Sequence, residues 1–106
     1  MYMDSEELSV SMEKYYGERI VTALIGIETD MDMVETVGEK FSTMKHVEDV
    51  FVVTGDYDIM LKVRFPDYNE FQDFLVKELV NVEGVKKSKT MMVLSIKKEM
   101  GRRIGA

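Results

Sequence analysis

The chain has 106 residues, which is the size of one ordinary domain and enough to bury a hydrophobic core. It contains no cysteine, which excludes disulfides, thiolate nucleophiles and cysteine-based zinc sites, and it contains one histidine. The formal net charge of -6 argues against a nucleic-acid partner that is held by phosphate neutralisation.

Residues 1–18 form an acidic extension in front of the first predicted strand. Within it, residues 5–16 place apolar side chains at near-helical spacing and predict one amphipathic helix, which is too short to be a helix-turn-helix. We expect this helix to dock on a neighbouring subunit, because an isolated helix of this length is marginal in water. Neither a basic region with a long apolar run nor a bilayer-length apolar segment occurs, so we expect a cytoplasmic protein.

The range 19–28 is rich in β-branched residues and predicts a first strand with apolar side chains on both faces. Asp32, followed three residues later by Glu35, has the pattern of a helix start, and we expect this helix to continue to about Lys45. Gly38 falls inside the helix, where we expect it to allow a close approach of helix and sheet.

The second half of the chain repeats this order of elements. Asp67, followed by Glu70, again has the pattern of a helix start and predicts a second helix that ends near Asn81. The ranges that predict the three further strands are 47–53, 59–65 and 85–96. A basic tail, residues 99–106, follows the last strand, and we expect it to be solvated.

Two β-α-β units joined by a central hairpin predict an α+β fold with ferredoxin-like β-α-β-β-α-β topology. In this fold the two helices cover one face of an antiparallel four-stranded sheet. Strands one, two and four carry apolar residues on both faces, and exposing six large apolar side chains would forfeit about 1.5–3 kcal/mol each. We therefore expect a homodimer in which the sheets meet face to face, with larger assemblies built from it.

The central hairpin concentrates polar chemistry in one short loop. Its residues are Thr54, Gly55, Asp56, Tyr57 and Asp58. A glycine turn offers backbone N–H groups to an anion, carboxylates accept from an ammonium group, and a phenol can close a pocket. The same residue types are also ordinary turn formers, so spacing alone leaves a purely structural hairpin open.

The range 52–58, which reads Val-Val-Thr-Gly-Asp-Tyr-Asp, is followed by the alternating strand Met-Leu-Lys-Val at 60–63 and by Thr-Met-Met-Val-Leu at 90–94. Together these segments resemble the effector-binding (RAM, regulation of amino-acid metabolism) domain of the Lrp/AsnC family of transcriptional regulators. The resemblance runs from about residue 19 to residue 98. Residues 1–18 are too few to hold the helix-turn-helix of full-length family members, so the chain looks like a stand-alone effector-binding domain.

The resemblance implies a domain that dimerises through its sheet and often assembles further into rings. It implies that a small effector, typically an amino acid, binds between subunits near the hairpin. The ligand contacts carried over to this chain are Thr54, Gly55, Asp56, Tyr57, Asp58 and, on the last strand, Thr90. No cofactor is implied, direct DNA binding is put in doubt, and a full-length regulator of the family becomes a candidate partner.

Two other function classes stay open. A small dimeric α+β enzyme, such as a monooxygenase or isomerase, would need an acid–base or cofactor constellation, and we expect no enzyme because the sequence offers none. A structural module without a ligand is the other alternative. His46 falls at the end of the first helix, where we expect it to cap the last carbonyl groups. A pocket between subunits at Tyr57 and Asp58 favours the sensor, and a pocket inside the monomer near His46 favours the enzyme.

Overall fold

The computed structural model describes residues 19–104, and the helix expected within residues 5–16 lies outside this range. Within the described range, no helix has the length and apolarity needed to cross a membrane. The main elements are β1 (Val21–Thr29), α1 (Val34–Ser42), β2 (Val47–Val52), β3 (Ile59–Phe65), α2 (Tyr68–Asp73) and β4 (Val85–Met92). Two short strands follow, β5 (Lys98–Glu99) and β6 (Arg102–Arg103).

The four main strands form one antiparallel sheet in the order β2-β3-β1-β4. The chain therefore has the ferredoxin-like α+β fold that the two β-α-β units predicted. In this order β1 and β3 are the central strands, and β2 and β4 are the edge strands. The β2–β3 hairpin connects the two β-α-β halves of the chain.

Alternation along the central strands sends one set of side chains towards the helices. The fully buried side chains of this set include Val21, Ala23, Ile25 and Ile27 from β1 and Ile59, Leu61 and Val63 from β3. Phe41 of α1 and Phe71 of α2 close the core above them. The alternate residues of the same strands point to the opposite side of the sheet, which we call the open face.

The two helices begin differently although their sequence patterns match. Asp67 caps α2 as predicted, because its carboxylate accepts a 2.8 Å hydrogen bond from the Glu70 backbone N–H. Asp32 does not cap α1, and this expectation was wrong. The Met33 N–H donates to the Asp30 carbonyl at 2.9 Å, so Asp32 lies inside a tight turn and Met33 takes the cap position without a side-chain bond.

The helix after Asp67 changes its winding before it ends. The α-helical segment is followed by a π-helical turn, Phe74–Glu78, and a 3-10 turn, Leu79–Asn81. The whole helical stretch therefore ends at Asn81, as the sequence predicted. The changed winding lets Phe74 and Leu79 both stay buried in the core.

Three expectations about local structure are corrected. The last strand ends at Met92, which pairs with Ala23, and not near residue 96, because one further hydrogen bond, from the Val93 N–H to the Thr22 carbonyl, ends the contact of this segment with β1. His46 does not cap α1, which ends at Ser42, and its ring packs on Phe65 with centroids 4.7 Å apart. Gly38 is not needed for a close approach, since a Cβ there would meet its nearest neighbours at 3.8 and 3.9 Å.

Candidate functional site

The central hairpin is a well-defined loop that is tied to the sheet at its base. The Val53 N–H donates to the Asp58 carbonyl at 2.9 Å, and the Asp58 N–H donates to the Ile27 carbonyl of β1 at 2.9 Å. At the tip, Gly55 has φ of 116°, a conformation that L side chains rarely adopt, and a Cβ there would meet nothing within 4 Å. The tip backbone is therefore open to solvent or to a ligand.

Asp58 has a structural role in the folded chain. Its carboxylate accepts a 2.9 Å hydrogen bond from the backbone N–H of Thr29, which is buried at the end of β1. This bond joins the hairpin to the strand end that leads into α1. One carboxylate oxygen is therefore already used in a structural hydrogen bond. Asp58 has less capacity to accept a hydrogen bond from a ligand than its residue type suggested.

Tyr57 lies across the open face of the sheet on top of Gly26. A Cβ added at Gly26 would fall 2.7 Å from Cγ of Tyr57 and 2.8 Å from Cδ1 and Cδ2. The missing side chain of Gly26 therefore makes room for the phenol ring. A close approach of helix and sheet was expected at Gly38, but the tight contacts are at Gly26, beneath the Tyr57 ring, and at Gly84, where a Cβ would fall 2.8 Å from Cγ2 of Val37 in α1.

The remaining predicted site residues divide into two places. Thr54, Gly55 and Asp56 are all exposed at the loop tip, beside Tyr57. Thr90 pairs with Ile25, whose side chain faces the helices, so Thr90 lies on the opposite side of the sheet from the Tyr57 ring. The structure brings Thr54, Gly55 and Asp56 together with Tyr57 and does not bring Thr90 to them.

The open face carries apolar and charged side chains in adjacent rows. Phe51 and Leu24 are exposed there, and Phe51 has 54% of its surface accessible. Charged residues lie beside them, because Leu24 pairs with Lys62, and Lys62 pairs with Asp49. The cross-strand pairs that build the rows are Phe51–Met60, Met60–Gly26, Gly26–Lys89, Asp49–Lys62, Lys62–Leu24, Leu24–Met91 and Arg64–Thr22.

An ionic network occupies one end of the open face. One oxygen of the Glu99 carboxylate contacts both Lys62 Nζ and Arg64 Nη2. Glu48 of β2 joins the same two cations at 3.4 Å each, and Arg64 Nε donates to the Thr22 hydroxyl at 3.1 Å. The Lys62 and Glu99 side chains are only 18% and 21% exposed, so these charges are partly shielded from water.

The network shifts the titration of two of its members. The hydrogen bond from Lys62, followed by the one from Arg64, lowers the pKa of Glu99 below its ordinary value of 4.5. The hydrogen bond to Glu99 raises the pKa of Lys62 above 10.5. Both shifts favour the charged forms of Lys62 and Glu99.

These network residues were missed as a unit by the sequence interpretation. The alternation of Lys62 and Arg64 with apolar residues on β3 marks two cations on one face of a strand, and Glu48 and Asp49 precede them on the neighbouring strand. The grouping of these four charges could therefore have been predicted from the sequence. The position of Glu99 could not, because it depends on how the chain turns after Met92.

Two cavities lie on the helix side of the sheet. One of about 520 Å³ has Met33, Met44 and Val82 among its apolar lining and the charged residues Lys40, Glu78 and Glu83 at its rim. A second of about 280 Å³ lies beside His46. Its lining includes Asp73 and Lys77, which pair with each other at 3.6 Å, and the imidazole of His46 rests on Phe65. No group of three or more metal-ligating side chains occurs within residues 19–104.

Comparison with known families identifies the whole described fold. The family model for the Lrp/AsnC ligand binding domain matches residues 22–102. An HTH-type transcriptional regulator of Pyrococcus furiosus is 30% identical over 78 residues, which are 74% of this chain and 53% of that protein. The chain spans about half the length of the curated regulators that it matches. Homocitrate synthase of Saccharolobus islandicus is 30% identical over 91 residues, which are 85% of this chain and 20% of the enzyme.

Solved structures agree with the fold. A protein from Thermus thermophilus superposes with a TM-score of 0.69 at 28% identity, and the alignment covers 74% of this chain and 99% of that one. A transcriptional regulator from Neisseria meningitidis, solved as a complex with L-Met, superposes with a TM-score of 0.70 at 24% identity. That alignment covers 96% of this chain and 62% of the regulator.

Proposed function

Because the chain belongs to the Lrp/AsnC ligand-binding domain family, we propose that it senses a small metabolite, and we expect this metabolite to be an amino acid. We further propose that it works as a homo-oligomer, with the effector held between subunits near the central hairpin. The observation that carries the proposal is the family match across residues 22–102. A ligand-sensing regulatory domain needs a binding surface and a way to pass the signal on, and the hairpin and the open face can supply them.

The loop tip is the part of the hairpin that we propose for effector contacts. Thr54, Gly55 and Asp56 are exposed, while Tyr57 lies against the sheet and Asp58 is committed to Thr29. An α-amino acid requires donors for its carboxylate and an acceptor for its ammonium group, which the tip backbone and the Asp56 carboxylate can provide. Tyr57 would then wall the pocket, and Asp58 would hold the loop in shape.

Self-association through the open face would complete such a site. The loop tip of one chain is too exposed to enclose a ligand, and recognition pockets usually bury most of a small ligand. Tyr57 reaches onto the same open face that carries Phe51, Leu24 and Met91. A second subunit packed there would bring protein next to the loop. Thr90 can join the site only through a ligand or subunit that reaches around the edge strand β4.

The amino-acid class rests on chemistry and on one structural neighbour. The Neisseria meningitidis regulator is described with L-Met bound, and its likeness to this chain is a likeness of fold. A full-length regulator of the same family is the proposed partner, and the proposed location is the cytoplasm. Direct DNA binding is not part of the proposal, because a net charge of -6 opposes it.

The enzyme alternative has one observation in its favour, the cavity beside His46. We do not propose catalysis there. The Asp73 carboxylate is already paired with Lys77, and the contact of the His46 ring with Phe65 supplies no acid or base to work with the imidazole.

The proposed function is tested by calorimetric titration of the full chain with each of the twenty amino acids. We expect at least one to bind, and we expect Asp56→Asn to weaken that binding by roughly 10- to 100-fold, the usual effect of losing a charged hydrogen-bond partner. Glu39→Gln, an exposed change on α1, is the matched control and should bind like the wild type. Failure of all twenty to bind an intact oligomer would contradict the sensor proposal.

An NMR titration with the same amino acid, followed by backbone amide chemical shifts, locates the ligand. Shifts at residues 54–57 support the hairpin site. Shifts confined to the lining of the 520 Å³ cavity, around Met33, Lys40 and Glu83, would overturn the proposed location while keeping the sensing function.

A further inference from the structure

The chain does not leave the sheet when β4 ends. Residues 93–104, which we call the strap, turn back across the open face. At the start of the strap the Val93 N–H donates to the Thr22 carbonyl at 2.9 Å. At its far end β5 and β6 form a small hairpin whose turn residues Met100 and Gly101 have φ of 51° and 79°, and the Ile104 N–H donates to the Lys97 carbonyl.

One carboxylate ties the far end of the strap to the sheet. Glu99 of β5 places its carboxylate against Lys62 and Arg64 of β3. Apolar packing adds little at this end, since Met100 is 91% exposed and Ile104 is exposed as well. The closed position of the strap therefore depends on ion pairs that are partly accessible to water, and such pairs contribute little to stability.

The strap stands above empty space on both sides of Glu99. A cavity of about 420 Å³ opens on the side of Ile20 and Arg64. A larger one, of about 730 Å³, opens on the side of Leu24 and Phe51. Glu99 lines both cavities, so the strap arches over the sheet and is not packed down on it.

Release of the strap would leave a self-complementary surface. Lys62 and Arg64 supply two positive charges, and Glu48 and Asp49 supply two negative charges beside them. Two copies related by a two-fold axis present the same patch to each other, so a patch with both signs can pair with itself. The exposed apolar side chains of the open face lie next to these charges.

We propose that the strap is an autoinhibitory cover, latched by Glu99, that limits pairing of the open face with a second copy of this chain. In the closed form Glu99 occupies the two cations and the strap shields part of the surface. In the open form Lys62 and Arg64 lose Glu99 and keep their contacts with Glu48 and Asp49 of the same chain, and the position that Glu99 leaves can be taken by a carboxylate of the second copy. This inference rests on the proposed self-association and names how that association is regulated.

The test compares dimerisation of the full-length wild type with Glu99→Gln by sedimentation equilibrium at neutral pH. Glutamine keeps the shape of the side chain and removes its charge. We expect the variant to dimerise more tightly, with a dissociation constant lowered about fivefold, the effect of losing one partly exposed ion pair. Glu39→Gln changes the charge equally at a site far from the strap and should leave the dissociation constant unchanged.

The outcomes separate the two proposals. If wild type and variant are both monomers at about 100 µM, the self-association proposed above fails. If both dimerise with the same dissociation constant, the latch fails and self-association stands. If the variant dimerises more weakly, the strap belongs to the dimer interface and the autoinhibitory role is overturned. Cooperative unfolding and matching circular dichroism spectra of the two monomeric forms at low concentration would exclude misfolding as the cause of any difference.

Discussion

At the scale of single residues, Asp56 and Asp58 have different environments although one residue separates them. Asp58 accepts the Thr29 N–H, and Asp56 is exposed at the loop tip. Asp58→Ala leaves a buried N–H without its partner, so we expect the free energy of unfolding to fall by about 1–3 kcal/mol. Asp56→Ala should change it by less than about 0.5 kcal/mol. Urea denaturation measures both.

Asp58→Asn is the matched control for this contrast. The amide keeps an oxygen that can accept from Thr29, so its cost should be smaller than that of alanine. Equal destabilisation by Asp56→Ala and Asp58→Ala would contradict the division of the loop into a structural and an exposed carboxylate. It would also remove the reason for placing the effector at Asp56 rather than at Asp58.

Gly26 and Gly38 give a second contrast at this scale. A methyl group at Gly26 would overlap the Tyr57 ring, so we expect Gly26→Ala to lower the free energy of unfolding by about 1–3 kcal/mol. A methyl group at Gly38 would make ordinary contacts with Ile59 and Val50, and Gly38→Ala should stabilise the helix by about 0.5–1 kcal/mol. Thermal unfolding followed by circular dichroism distinguishes a fall from a rise in stability.

Tyrosine fluorescence supplies the control for the cause of that effect. Displacement of the Tyr57 ring predicts an altered native-state emission for Gly26→Ala and an unaltered one for Gly38→Ala. A tolerated Gly26→Ala with unchanged emission would mean that the ring does not need the space above this glycine.

At the scale of elements, alternation and helical spacing were enough to predict the sheet and both helices. The pattern fixed β3 to the residue, because turn residues bound it on both sides. Helix starts were less certain. The same Asp-x-x-Glu pattern gave a cap at Asp67 and a turn residue at Asp32, since the Asp30–Met33 hydrogen bond delays the start of α1. Local sequence cannot distinguish these cases, because the turn depends on where β1 ends against β4.

The candidate site was predictable only in part for the same reason. Position in the hairpin follows from sequence, and so does the chemistry of Thr54, Gly55 and Asp56. The commitment of Asp58 to Thr29 is a contact across 29 residues of chain, and the seating of Tyr57 on Gly26 depends on the register of the sheet. Thr90 was assigned by resemblance, and strand alternation places it on the helix side. Which face a residue takes is decided by register.

At the scale of the whole molecule, the strap, the proposed effector site and the proposed self-association all involve the open face. The hairpin reaches this face through Tyr57, and the strap crosses it from the opposite end of the sheet. A second copy that binds the face must therefore meet both segments. If an effector orders the hairpin and Glu99 holds the strap, the two act on one equilibrium between a covered and a paired sheet.

That equilibrium should depend on pH in a direction set by Glu99. Its pKa is lowered in the folded chain, so its stabilising contribution is present above its ordinary value of 4.5 and is lost as the pH falls through the lowered value. The pKa of Lys62 is raised, so its contribution is present below 10.5 and is lost as the pH rises through the raised value. The latch should hold between these limits and open in acid.

The measurement is the difference in free energy of unfolding between wild type and Glu99→Gln, followed by urea denaturation from pH 7 down to pH 2. The difference should favour the wild type at neutral pH and shrink as Glu99 becomes protonated. Glu48, Asp49 and Arg64 belong to the same network in both proteins, so the subtraction removes most of their effect. A difference that did not change with pH would show that the Glu99 charge does not hold the strap to the sheet.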